Sequence, residues 1–139
     1  MSIERFIKAQ NKYFVIARHE LKNGKKQSHW MWFIFPQIKG LGYSEMSVYY
    51  AVNNKTEINE YINNKYLMDN YLELCCILLS LETNNPKEIF GDIDSMKLQS
   101  SLTLFYVFTN NLIIEKLLNK FYHGYKDSHT YEIIQELNE

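Results

Sequence analysis

Apolar positions recur at helical spacing through most of the chain. Leu67, Tyr71, Leu74, Cys75, Leu78 and Leu79 hold that spacing for roughly five turns and predict a helix from Asn64 to Glu82. Ile3, Phe6 and Ile7, continued by Tyr13, Ile16, Ala17 and Leu21, predict a first helix that Ser2 can cap and that Asn23-Gly24 stops. The residues from Leu98 to Phe108 are apolar on nearly every side, which predicts a central, buried helix opened by Asp94 as cap and broken by Asn110-Asn111. Leu112 to Phe121 reads as its amphipathic partner. Shorter segments follow from cap and stop residues: Ser44 before Glu45-to-Val52, Thr56 opening a helix through Ile62, Pro86 at the start of a single turn closed by Gly91, and Ser128 before a last helix through Leu137. The expectation is an all-α, single-domain orthogonal bundle of about six to eight helices over residues 1–139, with the Asn64-to-Glu82 and Asp94-to-Thr109 helices at its centre.

One stretch does not follow this pattern. Ser28-His29-Trp30-Met31-Trp32-Phe33-Ile34-Phe35-Pro36-Gln37 holds both tryptophans, one of the two prolines and a histidine. Its aromatic rings demand burial, while His29 and Gln37 demand hydrogen-bond partners once buried, and Pro36 forbids a continuing helix. The stretch has the propensity of a buried strand, yet no alternating segment elsewhere offers a partner, and one strand cannot satisfy its own backbone. A short helix or irregular turn, capped by Ser28 and ended by Pro36, is expected. The Gly40-Leu41-Gly42 loop follows.

Composition narrows the function. The 139 residues carry 15 basic and 16 acidic side chains, a formal charge of -1, so no whole-molecule field draws the chain to nucleic acid or anionic lipid, and any anion site is local. Aromatic content of 15 % predicts a core of large flat side chains. Cys75 and Cys76 are neighbours in an apolar run, which suits reduced thiols, and the first residues lack the apolar segment of a signal peptide. No apolar run is long enough to span a bilayer, so a cytoplasmic protein without a membrane partner is expected. His19, His29, His123 and His129 do not show metal-ligand spacing, and there is no phosphate loop or dinucleotide fingerprint; neither metal nor cofactor is expected.

Two groups of residues carry candidate chemistry. In the aromatic stretch, His29 is the acid or base that titrates near neutrality, Trp30 or Trp32 can wall a planar ligand, and Gln37 can orient polar groups. In the second, Lys97, Ser100 and Ser101 lie at i, i+3 and i+4 on neighbouring parts of one helix face. With Asp94 as cap, Lys97 falls in the first turn, where a cation opposes the helix dipole. An ion pair with Asp94 or Asp92, or a bound phosphate or carboxylate, would offset that conflict. Helical side chains lean toward the N-terminus, so a lysine before a serine leans away from it, which argues against a serine acyl-enzyme. A cleft for a small anionic ligand is the expectation; a small interaction module with exposed aromatics is the rival reading.

The Ser28-to-Gln37 block, with Gly40-Leu41-Gly42-Tyr43-Ser44 and Lys97-Leu98-Gln99-Ser100-Ser101-Leu102-Thr103-Leu104-Phe105, resembles a mainly bacterial, all-helical family of unknown function, some of whose members carry the label calpastatin. The resemblance covers nearly the whole chain and implies a compact all-α fold. The Met96-to-Tyr122 region also faintly resembles the helical N-glycosidase superfamily linked to NAD and ADP-ribose. That likeness implies a nucleotide- or ADP-ribose-like ligand and hydrolysis of an N-glycosidic bond.

Overall fold

The computed structural model describes residues 2–137. Among them eight α-helices run in order: α1 (Glu4–Lys22), α2 (Met31–Ile34), α3 (Glu45–Tyr49), α4 (Lys55–Asn63), α5 (Lys65–Ser80), α6 (Pro86–Thr109), α7 (Leu112–Tyr122) and α8 (Ser128–Gln135). The fold is all-α, and the described residues form no strand beyond one isolated parallel bridge between Ile38 and Val52.

Asparagines and one aspartate open most of these helices. The side chains of Asn54, Asn64, Asn85 and Asn111 accept from backbone amides in the first turns of α4, α5, α6 and α7, supplying partners that the helix lacks. The caps of α1, α4 and α8 differ from the sequence expectation by one or two positions, and α1 starts from Ile3 with no side-chain cap in place of Ser2. Asn54 rather than Thr56 caps α4, and Asp127 rather than Ser128 caps α8, because in each case the earlier side chain reaches the N3 amide. Ser44 caps α3 as expected.

The helix from Pro86 is continuous in outline but not in backbone. Gly91 sits at φ 79°, ψ 176°, a region essentially closed to side-chain-bearing residues, so the chain turns there and starts a new helical run at Asp92. The expected single turn from Pro86 to Phe90, closed by Gly91, is present. The helix after it begins at Asp92 instead of being capped by Asp94.

One connected core holds the bundle together. α5 packs against α1, α4 and α7, while α6 packs against α7, α8 and α4. The centre is aromatic: Tyr71 of α5 stacks on Phe105 of α6 at 4.3 Å, Tyr61 of α4 meets the same ring edge-on, and Phe35 meets Tyr71 edge-on. The short α2 satisfies only two amides within itself, so its remaining polar groups need outside partners. Gln10 of α1 supplies one by donating to the Phe33 carbonyl at 2.8 Å, and Asn70 of α5 and Tyr61 hold Gln10 in turn.

The segment from Ile38 to Val52 is a loop closed at its base. The Lys39 amide donates to the Val52 carbonyl and the Val52 amide to the Gln37 carbonyl, both at 2.9 Å. Arg5, buried and paired bidentately with Glu57, donates to the carbonyls of Tyr49 and Ala51 and pins the returning limb of the loop. Burial would raise the Glu57 carboxyl, yet the Arg5 guanidinium and the Asn53 amide hold it below its ordinary value. Between those fixed ends α3 has no buried residue.

Candidate functional site

A cleft of about 420 Å³ lies between this loop and α6. Gln37, Leu41, Gly42 and Ser47 form one wall. Ile93, Met96, Lys97, Gln99 and Ser100 of α6 form the other, and Asp127 and His129 at the start of α8 close one end. The turn at Gly91 fixes how this face is presented. Because the helical run restarts at Asp92, Lys97 is its sixth residue and stands in the second turn, beyond the strongest part of the dipole. The expected conflict between Lys97 and the helix N-terminus is therefore absent, while Asp92 and Asp94 occupy the first turn, where acidic groups are favoured.

Lys97 is held loosely. Its ammonium lies 3.8 Å from Asp94 and 5.5 Å from the centre of the Trp32 ring. Asp94 has a closer cation in Lys26, at 2.9 Å. Lys26 is nearly buried; it also donates to the Ser28 carbonyl at 2.6 Å and lies 5.0 Å from the centre of the Trp30 ring. Of the neighbouring polar groups, the Ser100 hydroxyl donates back to the Met96 carbonyl at 3.2 Å, keeping its lone pairs for another donor. Gln99 donates to the Tyr125 carbonyl at 3.0 Å, and Asp127 accepts from the amide and hydroxyl of Thr130. The Gln37 carboxamide and the His129 imidazole make no hydrogen bond within the described residues.

Three of the residues singled out in the sequence, Gln37, Lys97 and Ser100, thus meet in one cleft. Trp32 stands beside it, under Lys97, and lines a cavity of about 10 Å³ that shares Gln37, Leu41, Gly42 and Ser47 with the cleft. Its buried Nε1 finds no acceptor among the described residues.

Three others are placed elsewhere. Trp30 is fully buried, packs against Phe35 and Phe90, and donates from Nε1 to Glu20 at 2.9 Å, which makes it a core residue and not a ligand wall. The two tryptophans part because residues two apart on a helical turn point to opposite sides. Ser101 is fully buried and shares a 2.9 Å hydrogen bond with the Tyr71 hydroxyl, inside the core. His29 is exposed and lies outside the cleft lining.

Ser28 does not cap α2; its hydroxyl and amide donate to Glu20, as does the Gln27 amide. Burial would raise the Glu20 carboxyl, but these donors and the Trp30 indole override it and lower its pKa to about 2. The histidine that does border the cleft, His129, comes from α8, roughly a hundred residues beyond the aromatic stretch. Nothing in its local sequence announces it.

No group of three or more metal-ligating side chains occurs among the described residues, and no described helix is long and apolar enough to cross a membrane. A family model described as "Protein of unknown function (DUF1810)" matches residues 1–134. Among solved structures, the chain is similar to the crystal structure of the conserved hypothetical protein Rv1873 from Mycobacterium tuberculosis, with 35 % identity, a TM-score of 0.92 and 96 % of each chain covered. No curated protein matches.

Proposed function

The chain belongs to the DUF1810 family of proteins of unknown function, and from that premise we propose that it binds a small anionic ligand, of nucleotide or ADP-ribose type, in the cleft between the Ile38-to-Val52 loop and α6. One observation carries this reading: Lys97, whose nearest carboxylate is taken more closely by Lys26, shares a concave surface with the uncommitted Gln37 carboxamide, the Ser100 hydroxyl and His129. Lys97 and Ser100 would hold the anion, Gln37 would orient polar groups, and the apolar faces of Leu41, Ile93 and Met96 would carry a planar ring. His129, and not His29, is the histidine beside the ligand in this scheme. Hydrolysis of an N-glycosidic bond would call on a carboxylate to stabilise developing positive charge; Asp127, the carboxylate that lines the cleft, caps α8 through Oδ2. The reading proposed is one of binding.

The test is a thermal-shift screen with ADP-ribose, adenosine monophosphate and inorganic phosphate, followed by calorimetry on Lys97→Ala. A ligand at 100 times its dissociation constant should stabilise the fold by about 2.7 kcal/mol. Lys97→Ala should weaken binding by about tenfold or more and change the stability of the free protein by less than about 1 kcal/mol, because its own ion pair is long and partly exposed. Unchanged affinity would remove Lys97 from the site.

A second reading has its own observation. Tyr43, Met46, Val48 and Tyr49 stand exposed around α3, Tyr43 at 89 %, and large exposed aromatics suit a protein partner. A blank across the screen would favour that reading over the cleft.

A further inference from the structure

We infer that Lys26, which lies outside the cleft, is a positioning residue for its ligand: by occupying Asp94 it keeps the Lys97 ammonium available. This rests on the cleft reading above. Three charges from two parts of the chain form a short series, with one carboxylate between two ammonium groups. Lys26 reaches Asp94 at 2.9 Å and Lys97 reaches it at 3.8 Å, on different carboxylate oxygens. The shorter contact also belongs to the more buried cation, since the Lys26 side chain is 9 % exposed and that of Lys97 25 %. A less hydrated pair interacts more strongly, so Asp94 is committed to Lys26. Lys26 is itself fixed, by its bond to the Ser28 carbonyl and by the Trp30 face, so it cannot swing away to let Lys97 take over.

Removing Lys26 leaves Asp94 with one cation. Lys97 then closes on it, and the ligand must compete with an intramolecular carboxylate for the same ammonium. Charge alone would also weaken anion binding when Lys26 is lost, but that effect does not depend on Asp94. The competition does. The two mechanisms therefore separate in a double-mutant cycle.

ADP-ribose affinity is measured by calorimetry for the native chain, Lys26→Met, Asp94→Asn and the double variant, with circular dichroism confirming the fold of each. Lys26→Met should weaken binding about tenfold in the presence of Asp94 and by less than about twofold in the Asp94→Asn background. Asp94→Asn alone, with Lys97 already available in the native chain, should change binding by less than about threefold, and Asp92→Asn, whose carboxylate is 85 % exposed and 3.9 Å from Lys87, should leave it within about twofold. An equal loss from Lys26→Met in both backgrounds overturns the inference. If Lys26→Met does not fold, Lys26→Gln takes its place in the same cycle, and an equal loss in both backgrounds overturns the inference there too. Lys97→Ala tells the two levels apart. If ADP-ribose binds as well without Lys97, the cleft reading itself fails; if Lys97 matters but the Lys26 effect ignores Asp94, only the positioning role fails. A native chain that binds neither ADP-ribose nor inorganic phosphate overturns both.

Discussion

At the scale of single residues, the most constrained group is the Glu20 carboxylate. Four donors from one short segment converge on it, and no lysine or arginine does; its low pKa is the work of hydrogen bonds against a burial penalty. From an ordinary value of 4.5 it is held at about 2, so the folded state binds its proton less readily than the unfolded chain. Its contribution to stability is complete above pH 4.5 and disappears as the pH falls through 2. Urea denaturation of the native and Glu20→Gln proteins should show the native chain more stable at neutral pH, with the gap narrowing between those limits; a gap independent of pH would refute the assignment. The sequence marks the aromatic stretch as exceptional but cannot sort its members. Burial, which the rings demand, is shared by Trp30 and Trp32, and only the rotation of a single helical turn sends one to Glu20 and the other beneath Lys97. Ser101 departs from its expected place in the cleft for a similar reason: a hydroxyl on an apolar helix reads the same whether it faces a cleft or the Tyr71 hydroxyl.

At the scale of elements, periodicity locates the long helices well, because α1, α5 and α7 each bury one regular stripe. It places the start of the helix that bears the site three residues late, at Ser95 after an Asp94 cap where the run begins at Asp92. Both Asp94 and Gly91 could open a helical run, the one by side-chain capping and the other by its backbone freedom, and the sequence alone favours the better-known cap. The outcome matters, since those three residues decide whether Lys97 opposes the helix dipole. A β-carbon at Gly91 would meet nothing within 4 Å, so Gly91→Ala isolates the backbone conformation from packing. It should cost about 1–3 kcal/mol in thermal or chemical denaturation and weaken ligand binding as well, because it reorients the turn carrying Asp94 and Lys97. A neutral result would mean that the Phe90-to-Asp92 turn can be redrawn without strain.

At the scale of the whole molecule, the cleft joins three segments, around residues 37–47, 93–100 and 127–129, that are far apart in the chain. A net charge of -1 offers no global hint of an anion site, and the local one depends on a lysine whose counter-ion is already engaged. Such a site is assembled by tertiary packing, which is why Lys97 and Gln37 could be suspected separately while His129 could not. The loop that forms one wall has a property of a different kind. Its two ends are tied to each other by the Ile38–Val52 bridge and its returning limb to α1 by Arg5, while α3 has no buried residue. Such a unit can open without unfolding the bundle. In hydrogen–deuterium exchange, the amides of Lys39 and Val52 should be protected far longer than those of α3, which should exchange together, by local opening, at a rate that urea barely changes. A saturating ligand should slow that one group of amides first, so the wall of the cleft would act as a built-in clock for occupancy, readable without knowing what the occupant is.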